Sequence, residues 1–133
     1  MTPAKGERRT VQAGEPVRRG RLAKAKQFLR VAEDAEEFDK GEGVADAAVT
    51  LYVHAGIAAA DAICARALGV HARGQDHQEA IELLASVDPD AAADLRALLA
   101  MKTRAGYGHD PITPDRLARA QRAARALVSR AQD

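Results

Sequence analysis

The chain has 133 residues, with 20 lysines and arginines against 19 aspartates and glutamates, for a formal net charge of +1. A length of this order suits one domain with one core, and so even a balance gives the molecule as a whole no pull toward polyanions or membrane surfaces. Cys64 is the single cysteine, which excludes an intramolecular disulfide and a cysteine-paired zinc site and predicts a reducing compartment.

Residues 1–19 mix Pro3, Gly6, Gly14 and Pro16 with Lys5, Arg8, Arg9, Arg18 and Arg19. No helical periodicity runs through them, so the expectation is a basic, mobile tail ahead of a helical domain at 20–133. Met1-Thr2-Pro3-Ala4-Lys5 leads into no apolar stretch of the secretory kind, and no apolar run approaches the roughly 20 residues that cross a bilayer. A cytoplasmic protein without membrane contact is expected.

From Arg21, apolar residues recur at helical spacing as Leu22, Ala25, Phe28, Leu29, Ala32, Ala35 and Phe38, and Lys40-Gly41 forms a stop. This first helix is basic at its start and acidic at its end, against its own dipole, so neighbouring charges must offset the arrangement. Val44 to Leu68 is apolar on more than one face and belongs in the middle of a bundle; Gly56 and the alanines let neighbours come close, and Gly69 ends the helix. A third helix opens at Asp76, which with Glu79 matches an acidic capping box. A fourth opens at Asp88-Pro89 and a fifth at Thr113-Pro114-Asp115, each a cap followed by proline. Alanine, leucine, valine and isoleucine supply the core, and Phe28, Phe38, Tyr52 and Tyr107 are the only aromatics. The fold class is therefore all-α, an antiparallel up-and-down bundle of four to five helices.

The segment with most chemical content is Lys102-Thr103-Arg104-Ala105-Gly106-Tyr107-Gly108-His109-Asp110-Pro111. On an unbroken helix Arg104 and His109 would lie about 140° apart around the axis. Gly106 and Gly108 offer the backbone an exit after Arg104, and His109 on the resulting loop then converges with Arg104, within one chain or across a two-fold axis. The alternative is local: Arg104 caps the last carbonyls of its helix and His109 is an ordinary loop histidine.

Arg104-x4-His109 at the end of a helix in an all-α chain resembles the Arg-x4–6-His signature of the HEPN domain family. Tyr52-Val53-His54-Ala55-Gly56-Ile57 and the setting of Lys102 and Tyr107 are similar to members of that family, and the resemblance covers residues 20–131. It implies a homodimeric bundle whose two copies share a cleft that cuts RNA without metal or other cofactor. Such chains are often one half of a toxin–antitoxin pair, so an antitoxin or other protein partner is implied as well. Carried over, His109 is the general acid/base and Arg104 the clamp on phosphate and transition state. Tyr107 stacks on a base or bonds a phosphate, and Lys102 supports it. Scission of this kind needs a base for the ribose 2′-hydroxyl, an acid for the departing oxygen and positive charge at the phosphorane, and two imidazoles with two guanidiniums provide all three. Where many active members carry a polar residue after the arginine, this chain has Ala105. The resemblance equally allows a non-catalytic module that binds RNA, a nucleotide or a protein.

His54 and Asp61 lie seven apart on one line of the central helix, with Thr50 a turn earlier. They face an interface or a hydrogen-bond partner, or else Asp61 orients a catalytic group. His71, Arg73, Gln75, Asp76 and His77 form a polar loop at the start of helix three. Their spacing matches no metal site, and none is predicted. Arg116, Arg119, Arg122 and Arg125 repeat every third residue along the last helix, a ribbon that suits a phosphate backbone or simply a solvated face.

Overall fold

A computed structural model describes residues 9–40, 43–74 and 76–133. Among these residues it has five helices, α1 (Glu15–Asp39), α2 (Ala45–Leu68), α3 (His77–Ala85), α4 (Pro89–Tyr107) and α5 (Pro114–Gln132), with two short strands, β1 (Thr10–Gln12) and β2 (Val70–Ala72). The all-α bundle read from the sequence is the fold found.

Helix α2 is its axis. It packs against α1, α3, α4 and α5, and its Val49, Tyr52, Val53 and a run of alanines are buried. Small side chains permit this closeness: a Cβ built on Gly56 would stand 2.4 Å from Leu98 Cδ1 on α4 and 3.2 Å from Leu127 Cδ1 on α5. At 24 residues, with a mean hydropathy of 1.5 over its most apolar window, α2 is long and apolar enough to cross a membrane. This corrects the expectation that no run approaches that length. In the fold 67% of that window is buried, so its apolar surface is already covered by the other helices.

The N-caps read from the sequence are in place, but the expected capping box is half made, since the N–H of Asp76 donates to the Arg73 carbonyl at 3.2 Å rather than to the Glu79 side chain. Asp76, Asp88 and Thr113 accept the N–H groups of Glu79, Ala91 and Arg116 at 2.9, 3.0 and 3.3 Å, which satisfies donors that a helix start leaves without a partner. Gly69 takes the left-handed conformation (φ 73°) and its N–H donates to the Ala65 carbonyl. Of the Lys40-Gly41 stop, Lys40 itself is left-handed (φ 57°) and closes α1 onto the Glu36 carbonyl, while Gly41 lies outside the described residues.

Three expectations are corrected at the N-terminal end. Helix α1 begins at Glu15, with Pro16 in its first turn, not at Arg21; Gly20 sits inside it and masked its periodicity. Residues 10–12 are a strand rather than tail, pairing antiparallel with β2 in the register Thr10↔Ala72, Val11↔His71, Gln12↔Val70; residues 1–8 of the expected tail lie outside the described residues. Phe38, read as core, is 93% exposed. The buried face of α1 runs through Ala25 and Ala32 and continues to Glu36, and Phe38 stands about 200° around the axis from Glu36. The charge order of α1 is offset from outside the helix: Arg21 pairs with Asp61 of α2 and Glu33 with Arg125 of α5. Glu36 accepts hydrogen bonds from Tyr52 of α2 and, at 3.1 Å, from Gln121 of α5.

Candidate nucleic-acid interface

The residues singled out in the sequence fall into three separate places. Helix α4 does not break after Arg104; it continues through Gly106 to Tyr107, and Gly108 ends it in extended backbone (φ −74°, ψ 158°). An isolated helical glycine is tolerated, so Gly106 is no exit, and Gly108 carries the turn. The N–H of Gly108 donates to the carbonyls of Thr103 and Arg104 at 3.1 and 3.2 Å, and a Cβ there would sit 2.8 Å from the Arg104 carbonyl oxygen. The helix end is therefore closed by backbone, not by the Arg104 side chain.

Arg104 is thereby left without an intramolecular partner among the described residues. It lines a cavity of about 230 Å³ with Ala100, Met101, Arg116 and Arg119. Arg116 and Arg119 continue with Arg122 and Asp115 along a second cavity of about 300 Å³. Of the arginine ribbon on α5, Arg125 drops out, held by Glu33 of α1, and Arg104 takes its place at the other end. The short connection from Gly108 to Thr113 sets the end of α4 beside the start of α5 and so makes these arginines neighbours. That connection is pinned at one point: Ile112 is buried and its N–H donates to the Asp46 carboxylate at 2.9 Å.

His109, on the same connection, is 96% exposed and its Nε2 lies 3.5 Å from the Asp110 carboxylate. It does not line the cavity that Arg104 lines. Tyr107 is 85% exposed. Ala105, the residue after Arg104, is 8% exposed and belongs to the core.

Lys102 goes elsewhere. Two positions from Arg104, it is about 200° around the helix and places Nζ 3.0 Å from Nε2 of His77 on α3. Burial, and then the charge of Lys102, lower the His77 pKa below the ordinary imidazole value. His54 and Asp61 share a face of α2 but no partner. His54 is exposed, its ring 5.6 Å from that of Phe28. Thr50 returns its hydroxyl to the Asp46 carbonyl at 2.9 Å.

Asp61 binds Arg21 at 2.9 and 3.0 Å and lies 3.9 Å from His71 Nδ1. It fastens α1 and the sheet to α2 and orients neither Arg104 nor His109. Burial raises its pKa against the opposing pull of Arg21 and His71. Cys64, one turn on, is buried with its thiol pushed up to about 12 by desolvation and then by Asp61, which removes it as a nucleophile near neutrality. Among the described residues no group of three or more His, Cys, Asp or Glu is arranged to hold a metal ion.

Compared with models of known protein families and with curated proteins, the chain matches none.

Proposed function

We propose that the chain is a HEPN-like protein that acts on RNA, gripping the phosphate backbone with Arg104, Arg116, Arg119 and Arg122. Where two copies meet, each contributes Arg104 and His109 to one metal-independent scission site. The observation that carries this reading is the set of guanidiniums at the α4–α5 end: they share two adjoining cavities, and among the described residues none has a carboxylate within ion-pair distance. Like charges gathered with Asp115 as the one carboxylate lining these cavities, and no ion pair to it, repel in the free protein, and a polyanion relieves that repulsion while its own counterions are released. Arginine also holds phosphate in a bidentate fork. In the scission step one His109 takes the proton of the ribose 2′-hydroxyl, which attacks the adjacent phosphorus. The other His109 protonates the departing 5′-oxygen, and both Arg104 side chains stabilise the phosphorane. A buried, reduced Cys64 suits a cytoplasmic setting.

A second reading is favoured by two particular residues. Ala105 is turned into the core, and His109 stands in solvent outside the Arg104 cavity, an arrangement that serves binding without cleavage.

One experiment separates the two readings. Single-stranded RNA is incubated with the purified protein in excess chelator, products are mapped, and binding is followed by gel shift at several salt concentrations. Cleavage leaving cyclic phosphate ends, abolished by His109→Ala, supports the nuclease. A salt-sensitive shift with intact RNA supports the binding module. RNA that is neither bound nor cut removes both.

A further inference from the structure

The loop from β2 to α3 gathers charge on the side of α4 opposite the arginine ridge. Pairing of β1 with β2 extends one step beyond Thr10↔Ala72, where the N–H of Arg73 donates to the Arg9 carbonyl at 3.0 Å. The ladder therefore fixes Arg9 and Arg73 as neighbours, although like charges on adjoining strands repel. With Gly74, Asp76 and His77 they line an open cleft of about 460 Å³. Lys102 stands directly behind His77, its ammonium donating to Nε2 at 3.0 Å; that contact keeps Nε2 unprotonated and leaves the ring proton on Nδ1.

Among the described residues two guanidiniums thus line the cleft, with Lys102 behind His77, against one lining carboxylate, and that carboxylate is engaged. Oδ1 of Asp76 accepts from the Glu79 N–H at 2.9 Å as the cap of α3. Among the described residues Arg9, Arg73 and Lys102 form no ion pair. The surplus of positive charge matches a dianion.

We propose that this cleft binds a phosphate monoester, the group carried by the end of a phosphorylated RNA strand or by a free mononucleotide. The paired guanidiniums of Arg9 and Arg73 grip the phosphate oxygens, and the Nδ1–H of His77 supplies a further donor. The cleft is larger than a phosphate, so the attached sugar enters too. The base has no comparable seat. The niche that shares Arg73, Gly74 and His77 with the cleft, walled by Ile57, Leu95 and Leu99 and lined also by Asp61, whose carboxylate is taken by Arg21, holds only about 20 Å³, room for roughly one water. Recognition is therefore of the phosphate and indifferent to the base. This site stands apart from the ridge of Arg104, Arg116 and Arg119, so neither depends on the other.

The test is a backbone amide NMR titration of the full chain with AMP, CMP and adenosine, repeated for Arg73→Gln and Arg9→Gln. AMP and CMP are expected to move the amides of Arg73, Gly74 and His77 with similar affinity, and adenosine to leave them still. Each variant, its fold checked by circular dichroism, weakens AMP binding about tenfold, the loss of one charge-assisted contact. Amides that stay fixed with both nucleotides, equal binding of adenosine, or full affinity in both variants overturns the site. A 5′-phosphorylated oligonucleotide then identifies the source. Arg73-dependent binding much tighter than that of its 5′-hydroxyl form and of AMP assigns a strand end, and affinity no better than that of AMP assigns the free nucleotide. RNA binding through the ridge moves the amides of Arg116 and Arg119 instead and survives Arg73→Gln, so failure of either site is visible without the other.

Discussion

Lys102 of α4 holds its ammonium 3.0 Å from the imidazole of His77 on α3, so a permanent cation and a titratable ring share one contact. Protonating His77 would set two positive charges side by side in partly desolvated surroundings, and its folded-state pKa is accordingly depressed. The sign follows from proton counts. Between the depressed folded value and the ordinary imidazole value the unfolded chain binds the proton and the folded chain does not, so stability falls as pH drops through that window and is fully present above it. Lys102→Met removes the smaller of the two causes; burial, the larger, remains. The His77 pKa, followed by NMR of the ring protons, is expected to rise toward the ordinary value without reaching it. An unchanged titration in that variant would show that Lys102 does not act on the ring.

On the proposed RNA-binding reading, the arginines at the α4–α5 end contribute to affinity in a salt-dependent way. Each phosphate contact removed flattens the plot of log affinity against log salt by about 0.7 for a single strand. Arg116→Gln with Arg119→Gln is therefore expected to lower that slope by about 1.4 and to weaken binding uniformly across sequences. Arg125→Gln, whose guanidinium is held by Glu33, should leave the slope nearly unchanged. Equal effects from the ridge pair and from Arg125 would mean that the described pairing does not distinguish them.

How much of this was readable in the sequence depends on the distance along the chain between interacting residues. Caps such as Asp88 over Ala91 and Thr113 over Arg116 act across three positions, so residue type and spacing reveal them. The core of α2 is legible for the same reason, because burial on every side leaves an unbroken apolar composition. The β1–β2 pair was not legible: its strands are three residues each and come from opposite ends of α1 and α2, with no turn to announce the pairing. Lys102 and His77 are 25 positions apart and Arg21 and Asp61 are 40, so tertiary packing alone brings each pair together. Gly106 misled because glycine permits a helix exit without requiring one, whereas Gly108 is forced by its approach to the Arg104 backbone.

That approach makes Gly108→Ala a direct probe of the Arg104–His109 connection. The obstacle is main-chain oxygen rather than the end of a flexible side chain, so the turn itself must move. Overpacking of this kind costs about 1–3 kcal/mol. Thermal unfolding should register the loss, and amide shifts are expected in 108–112 while α2 stays unperturbed. Gly106→Ala, where a Cβ meets nothing within 4 Å, is the matched control and should leave the turn in place.

Two further glycines carry opposite predictions from the same substitution. Gly20 lies inside α1 with nothing within 4 Å of a built Cβ, so Gly20→Ala gains helix propensity and an unfolded-state entropy benefit of about 0.5–1 kcal/mol. Gly56→Ala would gain the same propensity, but its methyl lands 2.4 Å from Leu98 Cδ1 and 3.2 Å from Leu127 Cδ1. Both leucines are fully buried, so neither can swing away into solvent, and the overpacking cost of about 1–3 kcal/mol exceeds the gain. Chemical denaturation of the two variants against the parent chain decides the matter: the midpoint should rise for Gly20→Ala and fall for Gly56→Ala. A rise in both would mean that the α2–α4–α5 junction has room that its packing denies.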